Sequence, residues 1–224
     1  VGIATKWLKG TLSLDATVYQ TNTYNQTIKA EISPSTGFDG IYLQTGDVRN
    51  RGLEVGLGYD LKIKDKINWN SYFTMSYNEN KIMSLVEDYI NPVTGKREGR
   101  SYLERGGIGG ARYILKTGGT LGDVYATNDF KRNADGNLLV DSNGKVNVEE
   151  YGNRDNYVKL GTVLPKYNLG WRNDFNIGNI GFGAMFAGRI GGVAISMTQA
   201  ALDHYGVSKE SAEARNAGGV NLDG

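Results

Sequence analysis

His204, the only histidine, stands beside Asp203. A catalytic base of this kind needs a nucleophile within hydrogen-bond reach, and nothing in the surrounding spacing supplies one. Asn133-Ala134-Asp135-Gly136 and Asp141-Ser142-Asn143-Gly144 carry the oxygen ligands of a calcium loop. Lys131, however, stands where the first carboxylate belongs and no glutamate closes the set, so both read as tight turns. Gly106-Gly107-Ile108-Gly109-Gly110 has the glycine density of a phosphate cradle without the strand before it and the helix after it. With no cysteine, disulfides and thiolate metal sites are excluded. The expectation is therefore no catalytic residue, no metal and no cofactor. What remains is aromatic. Among the 14 tyrosines, Tyr89, Tyr102, Tyr113, Tyr125, Tyr151 and Tyr157 fall in one long non-periodic segment. Their apolar faces and polar tips suit stacking on a solute or contact with a protein lid, and Tyr102, Tyr113, Tyr125 and Tyr157 are the candidates for that role.

The elements that must carry these residues are strands. Leu53, Val55, Leu57, Tyr59 and Leu61 alternate with Glu54, Gly56, Gly58 and Asp60. Ile67, Trp69, Phe73, Met75 and Tyr77 alternate with Asn68, Asn70, Tyr72, Thr74 and Ser76, interrupted on the apolar phase by Ser71. Period-two patterns on either side of the charged Lys62–Lys66 link predict an antiparallel hairpin. Leu12, Leu14, Ala16 and Val18 make an earlier strand, and alternation is already present over Val1–Trp7, with Lys9-Gly10 as the turn between. A later hairpin pairs Tyr167–Ile177 with Ile180–Ile190 around Gly178-Asn179. Two short helices are expected after Gly192, over Thr198–Tyr205 and from the N-cap Ser208 to Asn216, before a loop at Asp223-Gly224.

Connections alternate between short and long, the long ones covering about 25–45, 81–162 and 192–224, with a turn at Ser33–Gly37 in the first. A segment as long as 81–162 must hold small elements of its own, and Asp135-Gly136 and Asn143-Gly144 predict hairpin turns there. Asp15, Glu54, Asp60, Arg172, Asp174 and Arg189 all lie on the polar phase, whereas Trp7, Tyr59, Trp69, Tyr167 and Trp171 lie toward strand ends on the apolar phase. Short turns at one end, long loops at the other, and an apolar face edged by aromatics describe an outer-membrane β-barrel, in which an Arg at the midplane of the lipid face costs about 2 to 4 kcal/mol. A soluble β-sandwich with one wet face also alternates. Net charge of +1 and the lack of a basic cluster with interleaved aromatics speak against nucleic acid as a partner. No apolar run reaches the ~18 residues of a membrane helix, which leaves membrane strands open. Six strands are fewer than the about eight of the smallest bacterial barrels. With alternation under way at Val1 and no leader-like segment, a stretch within a larger barrel is expected. The fold expected over 1–224 is thus all-β, a partial antiparallel transmembrane β-barrel with long extracellular loops.

Three stretches together resemble one family, the SusC/RagA type of TonB-linked outer-membrane transporter of Bacteroidetes. Gly46-Asp47-Val48-Arg49-Asn50-Arg51-Gly52-Leu53-Glu54 is similar to its strand entry, Gly119-Thr120-Leu121-Gly122-Asp123-Val124-Tyr125 followed by Asp135-Gly136 to a loop motif, and Leu160-Gly161-Thr162-Val163-Leu164-Pro165-Lys166-Tyr167 to the entry of a late strand. Leu121 replaces the usual proline of the loop motif. The resemblance implies the late part of a 22-strand barrel whose plug domain, absent from this chain, lies upstream. It implies energised import of glycans or peptides with a SusD-like surface lipoprotein, TonB being engaged through the N-terminal region, and a non-enzymatic role in the outer membrane. Glu54, Arg172, Asp174 and Arg189 would then face the lumen, to contact plug or solute or to solvate the wall and pair with one another. A passive porin, a surface adhesin barrel or a soluble β-sandwich binding module is the alternative.

Overall fold

A computed structural model describes residues 1–30, 41–63, 66–86, 89–90, 95–99 and 102–220. The Ser33–Gly37 turn, the middle of the Lys62–Lys66 link and the Asp223-Gly224 loop lie outside the described residues, as does the side chain of Tyr89. In chain order the strands are β1 (Gly2–Trp7), β2 (Leu12–Thr23), β3 (Gln26–Ala30), β4 (Ile41–Thr45), β5 (Val48–Ile63), β6 (Ile67–Ile82), β7 (Tyr89–Ile90), β8 (Arg97–Glu98), β9 (Tyr102–Ile108), β10 (Ala111–Lys116), β11 (Asp123–Ala126), β12 (Asn128–Phe130), β13 (Val148–Glu150), β14 (Val158–Thr162), β15 (Tyr167–Ile177) and β16 (Ile180–Ile190). Helices α1 (Met197–His204) and α2 (Lys209–Asn216) follow. The chain divides into two compact units, one built on residues 1–103, 115–122 and 164–192, the other on 104–114, 123–163 and 193–220 of the described chain.

The first unit is an open six-stranded antiparallel sheet in the order β1-β2-β5-β6-β15-β16. Leu12, Tyr59, Ser71, Asn173 and Ala184 share one transverse row, and Thr17, Glu54, Ser76, Asn168 and Arg189 another, which fixes the face of every side chain because strand side chains alternate. One face collects Asp15, Glu54, Asp60, Arg172, Asp174 and Arg189. The opposite face carries Leu14, Leu57, Phe73, Met75, Leu169, Phe175, Phe182 and Phe186. That apolar face is open: Ile180 is 77% exposed and Phe182 62%. A soluble sandwich would bury these side chains against a second sheet.

Aromatic contacts edge the apolar face. Toward the short turns, Trp69, Phe175 and Phe182 stack in line, with centroids 5.6 and 5.0 Å apart, and Tyr59 meets Trp69 edge-on at 5.5 Å. Toward the long connections Tyr77 packs on Tyr167 at 5.2 Å. Eight residues of β6 separate Trp69 from Tyr77, about 27 Å at ~3.4 Å per residue, or about 20 Å once a barrel tilt of ~40° is allowed for. This is close to the ~25 Å height of a barrel's apolar band. Trp171 departs from the expected end position. It sits mid-strand, packs on Phe186 at 5.9 Å, and its indole N–H donates to Ser71 Oγ at 3.0 Å. The neighbouring polar residue of this face, the buried Asn173, accepts from Trp69 Nε1 at 3.2 Å, so Ser71 and Asn173 are each hydrogen-bonded to an indole.

Above the Leu53–Tyr77 pair the outward phase turns charged at once, and the inward phase turns apolar only at the last pair. The outward phase becomes Arg51, Glu79, Arg49 and Lys81, and the opposite phase ends at Val48 and Ile82, which pair in register and are 4% and 0% exposed. Sixteen residues each, β5 and β6 exceed the about 9–11 that a bilayer needs, and the reversal falls on the excess.

The expected polar loop 25–45 contains a strand pair, β3 with β4, in register from Gln26–Thr45 to Ala30–Ile41. The segment 81–162 is more ordered than its composition suggests. It carries all of a four-stranded sheet, β14-β11-β10-β9, and the pair β12-β13. At the predicted hairpin turns Asn133 Oδ1 accepts from the amides of Asp135 and Asn137, and Asp141 Oδ1 from those of Asn143 and Lys145. The carboxylate of Asp141 is thus spent on the backbone, as in an Asx turn. Both helices form within a residue of their expected bounds, and Ser208 Oγ accepts from the Ser211 amide as an N-cap does.

Candidate functional site

On the polar face of the first unit, Asp15, Thr17, Glu54, Tyr72, Thr74, Ser76, Asn168 and Met185 line a concavity of about 530 Å³. Its floor is flat because β5 and β15 present glycine there, at Gly56 and Gly170. Tyr72 lies across this floor: a Cβ added at Gly56 would come within 2.5 Å of Tyr72 Oη, and one at Gly58 within 3.3 Å of its ring. Tyr19 covers Gly52 in the same manner and donates to Asn78 Oδ1 at 3.1 Å.

Of the four predicted polar-face residues, only two are brought together. Arg172 and Asp174, two positions apart on β15, form a bidentate pair, Nε to Oδ2 at 2.7 Å and Nη2 to Oδ1 at 3.2 Å. Glu54 and Arg189 occupy the same transverse row but lie three strand spacings apart, about 14 Å at ~4.8 Å each. The concavity therefore offers two exposed carboxylates, hydroxyls, amides and one thioether over a flat floor. This is the chemistry of a solvated wall rich in hydrogen-bonding groups.

The second unit holds the stronger electrostatics, which the sequence reading missed. Glu104 is shared by two arginines, Arg112 Nε at 3.2 Å and Arg154 Nε at 2.8 Å. Asp123, fully buried, meets Lys159 Nζ at 2.5 Å, the lysine coming from β14 and the carboxylate from β11. Here a buried anion is matched by a cation whose outer part stays wet, as burial of a charge requires. The partners are 8, 50 and 36 residues apart, so spacing could not reveal them.

The tyrosines divide. Tyr102, Tyr113 and Tyr157 are half-buried, on β9, on β10 and just after a 3₁₀ turn at Arg154–Asn156. Tyr125 does not fit the expected role. At 8% exposed within the small sheet, it offers no free ring face, and burial, followed by the nearby Asp123 carboxylate, raises its phenol above the ordinary 10.0. His204 ends α1 with its ring edge-on to Tyr205 at 5.1 Å, and Asp203 accepts instead from Gln199 Nε2 at 2.9 Å. Gly109, at φ +56°, turns the β9–β10 hairpin, and its carbonyl accepts from Arg112 Nη1 at 2.7 Å, which accounts for the glycine run without a phosphate. Among the described residues no three acidic or histidine side chains are placed to share a metal ion.

No family model matches the chain. It is 28% identical over 124 residues to TonB-dependent receptor P39 of Formosa agariphila, covering 55% of this chain and 10% of that protein. With TonB-dependent receptor P26 of the same organism it shares 24% over 205 residues, 85% of this chain and 20% of that one. Among solved structures it superimposes on the RagAB peptide transporter with a TM-score of 0.51 at 19% identity over 83% of the chain, and on the closed-closed state of the RagAB peptide importer with 0.53 at 20% over 85%. In each case it spans 20% of the solved chain. The relatives carry the names of receptors and transporters, not of enzymes. Strand order, the two-faced sheet and these similarities together show the fold of part of an antiparallel transmembrane β-barrel like that of the RagAB transporter, and they support a likeness to SusC/RagA-type TonB-dependent transporters.

Proposed function

We propose that this segment supplies inner wall and extracellular loops to an outer-membrane importer that takes up glycans or peptides, energised through TonB and working with a SusD-like surface lipoprotein. The observation that carries the reading is the six-stranded sheet, with charged side chains on one face and an exposed apolar band, edged by aromatics, on the other. Such a surface is matched by lipid on one side and water on the other. Glu54, Arg189, and the Arg172–Asp174 pair face the water-filled side in this reading, where a solute meets them. Tyr102, Tyr113 and Tyr157 are the loop contacts.

The test uses the full-length protein in its native outer membrane. The expected result is a detergent-solubilised complex holding a stoichiometric surface lipoprotein, with peptide or oligosaccharide uptake that collapses when TonB is deleted. Uptake that persists without TonB would establish a passive porin instead. Recovery of the chain as a water-soluble protein needing no detergent would overturn the membrane assignment itself.

A further inference from the structure

Where β6 rises past β15, its edge would be left bare. Asn78 N–H donates to Lys166 O at 3.2 Å, and beyond this point β15 has ended. The edge is closed by a piece of the long insertion: Ile82 N–H donates to Gly119 O and Gly118 N–H to Ile82 O, both at 2.8 Å. A bare edge is a liability that proteins cover, and here the cover is built from the chain itself.

The same piece is fastened on the polar side of the sheet. Asn80, buried on that face, accepts from the Leu121 amide at 2.8 Å through Oδ1 and donates to Asn50 Oδ1 at 2.9 Å through Nδ2, so both ends of its amide are engaged. Leu115 enters the buried cluster of Val48, Ile82, Leu85, Val86 and Leu103, and Leu121 packs against it. Thr117 and Gly118 are left exposed between these two anchors.

We propose that Leu115–Gly122 is a fixed strap on the inner wall at the pore mouth, and that its exposed Thr117-Gly118 tip limits the size of solute admitted. The proposal rests on the importer reading for the word pore, but the fixed strap does not depend on it. A mobile lid would not be tied by two backbone hydrogen bonds to β6, a third from its backbone to the Asn80 side chain, and an apolar anchor on each side. The run Thr117-Gly118-Gly119-Thr120 carries no charge, so the selection it imposes is by cross-section, not by the sign of the solute.

Two measurements on the full-length transporter decide the matter. Amide exchange of Ile82, Gly118 and Leu121 in the purified protein is slow if the strap is fixed, and Asn80→Leu speeds Leu121 by about tenfold, the equivalent of one lost hydrogen bond. Exchange as fast as at exposed loop residues overturns the strap whatever the protein transports. In energised cells, Thr117→Trp selectively loses uptake of the longer members of an oligosaccharide or peptide ladder and keeps the shorter ones, with assembly in the membrane checked by heat-modifiable mobility. Equal loss across the ladder, or none, overturns the size-limiting role. Slow exchange together with no uptake of any solute by the unmodified protein would leave the strap standing and remove the importer reading.

Discussion

Replacing Gly52 by alanine isolates one contact on the polar face. A Cβ built there would sit 2.3 Å from Cζ and 2.4 Å from Oη of Tyr19, far inside contact distance, so the ring must leave. The backbone at Gly52 lies outside the left-handed region, and alanine meets no torsional penalty of its own. Overpacking of this kind costs about 1–3 kcal/mol. Losing the Tyr19 hydroxyl's bond to Asn78 Oδ1 adds about 1 kcal/mol, and the reduced entropy of the unfolded chain returns about 0.4–1 kcal/mol. Gly52→Ala should therefore destabilise by about 1–3 kcal/mol in the native background. With Tyr19→Ala already present the clash is gone, and the same substitution should be neutral or stabilising by up to about 1 kcal/mol. The coupling of about 1–4 kcal/mol is read from denaturant unfolding of the full-length barrel in vesicles as a double-mutant cycle. Equal effects of Gly52→Ala in the two backgrounds would refute the reasoning that glycine is needed there to seat the tyrosine.

The faces of the sheet make a second prediction: Phe73→Arg, in the middle of the apolar band, costs about 2–4 kcal/mol in vesicles, whereas Thr74→Arg one residue away costs far less, and similar losses at both sites would contradict the assignment of faces. Trp69→Phe keeps the ring but removes the donor to Asn173, so it costs about 1–3 kcal/mol, and adding Asn173→Leu recovers most of it; failure of that rescue in the same unfolding assay would mean the hydrogen bond is not what matters. For Tyr125 the folded-state pKa is raised above 10.0, so the folded form holds its proton longer than the unfolded form. Stability from this group is complete below the ordinary value and drains away as pH climbs through the raised one, so Tyr125→Phe should flatten the alkaline fall in stability. An unchanged alkaline slope would show that the buried phenol does not govern it.

How much of this could be read from the sequence follows from which physics each part obeys. β15 and β16 form over the expected residues because a strand with lipid on one face and water on the other must alternate, broken on β15 only by the hydrogen-bonded Asn173, and alternation is a local signal. Ser208 shows its role through one hydroxyl followed by a helical stretch. The small sheet was invisible for the opposite reason. β10 and β11 bury Ile114, Leu115, Val124 and Tyr125 in short runs whose pattern does not distinguish strand from any other buried segment.

The top of β5 and β6 shows what is lost when a periodic signal is read as one uninterrupted pattern. Arg49, Arg51, Glu79 and Lys81 look like violations of an apolar phase, and Val48 and Ile82 like violations of a polar one. They keep the alternation and reverse its meaning, since above the bilayer the outside is water and the inside is packed by the chain's own strap. Arg51 illustrates the change, its Nε donating to Gln20 Oε1 at 2.7 Å across the outer surface where, two residues lower, Leu53 faces the apolar band. The residues at which the outward phase turns from apolar to charged therefore mark the edge of the apolar band more sharply than hydropathy does, between Leu53 and Arg51 on β5 and between Tyr77 and Glu79 on β6, while the inward phase stays polar through Asn50, Asn78 and Asn80 and turns apolar only at Val48 and Ile82.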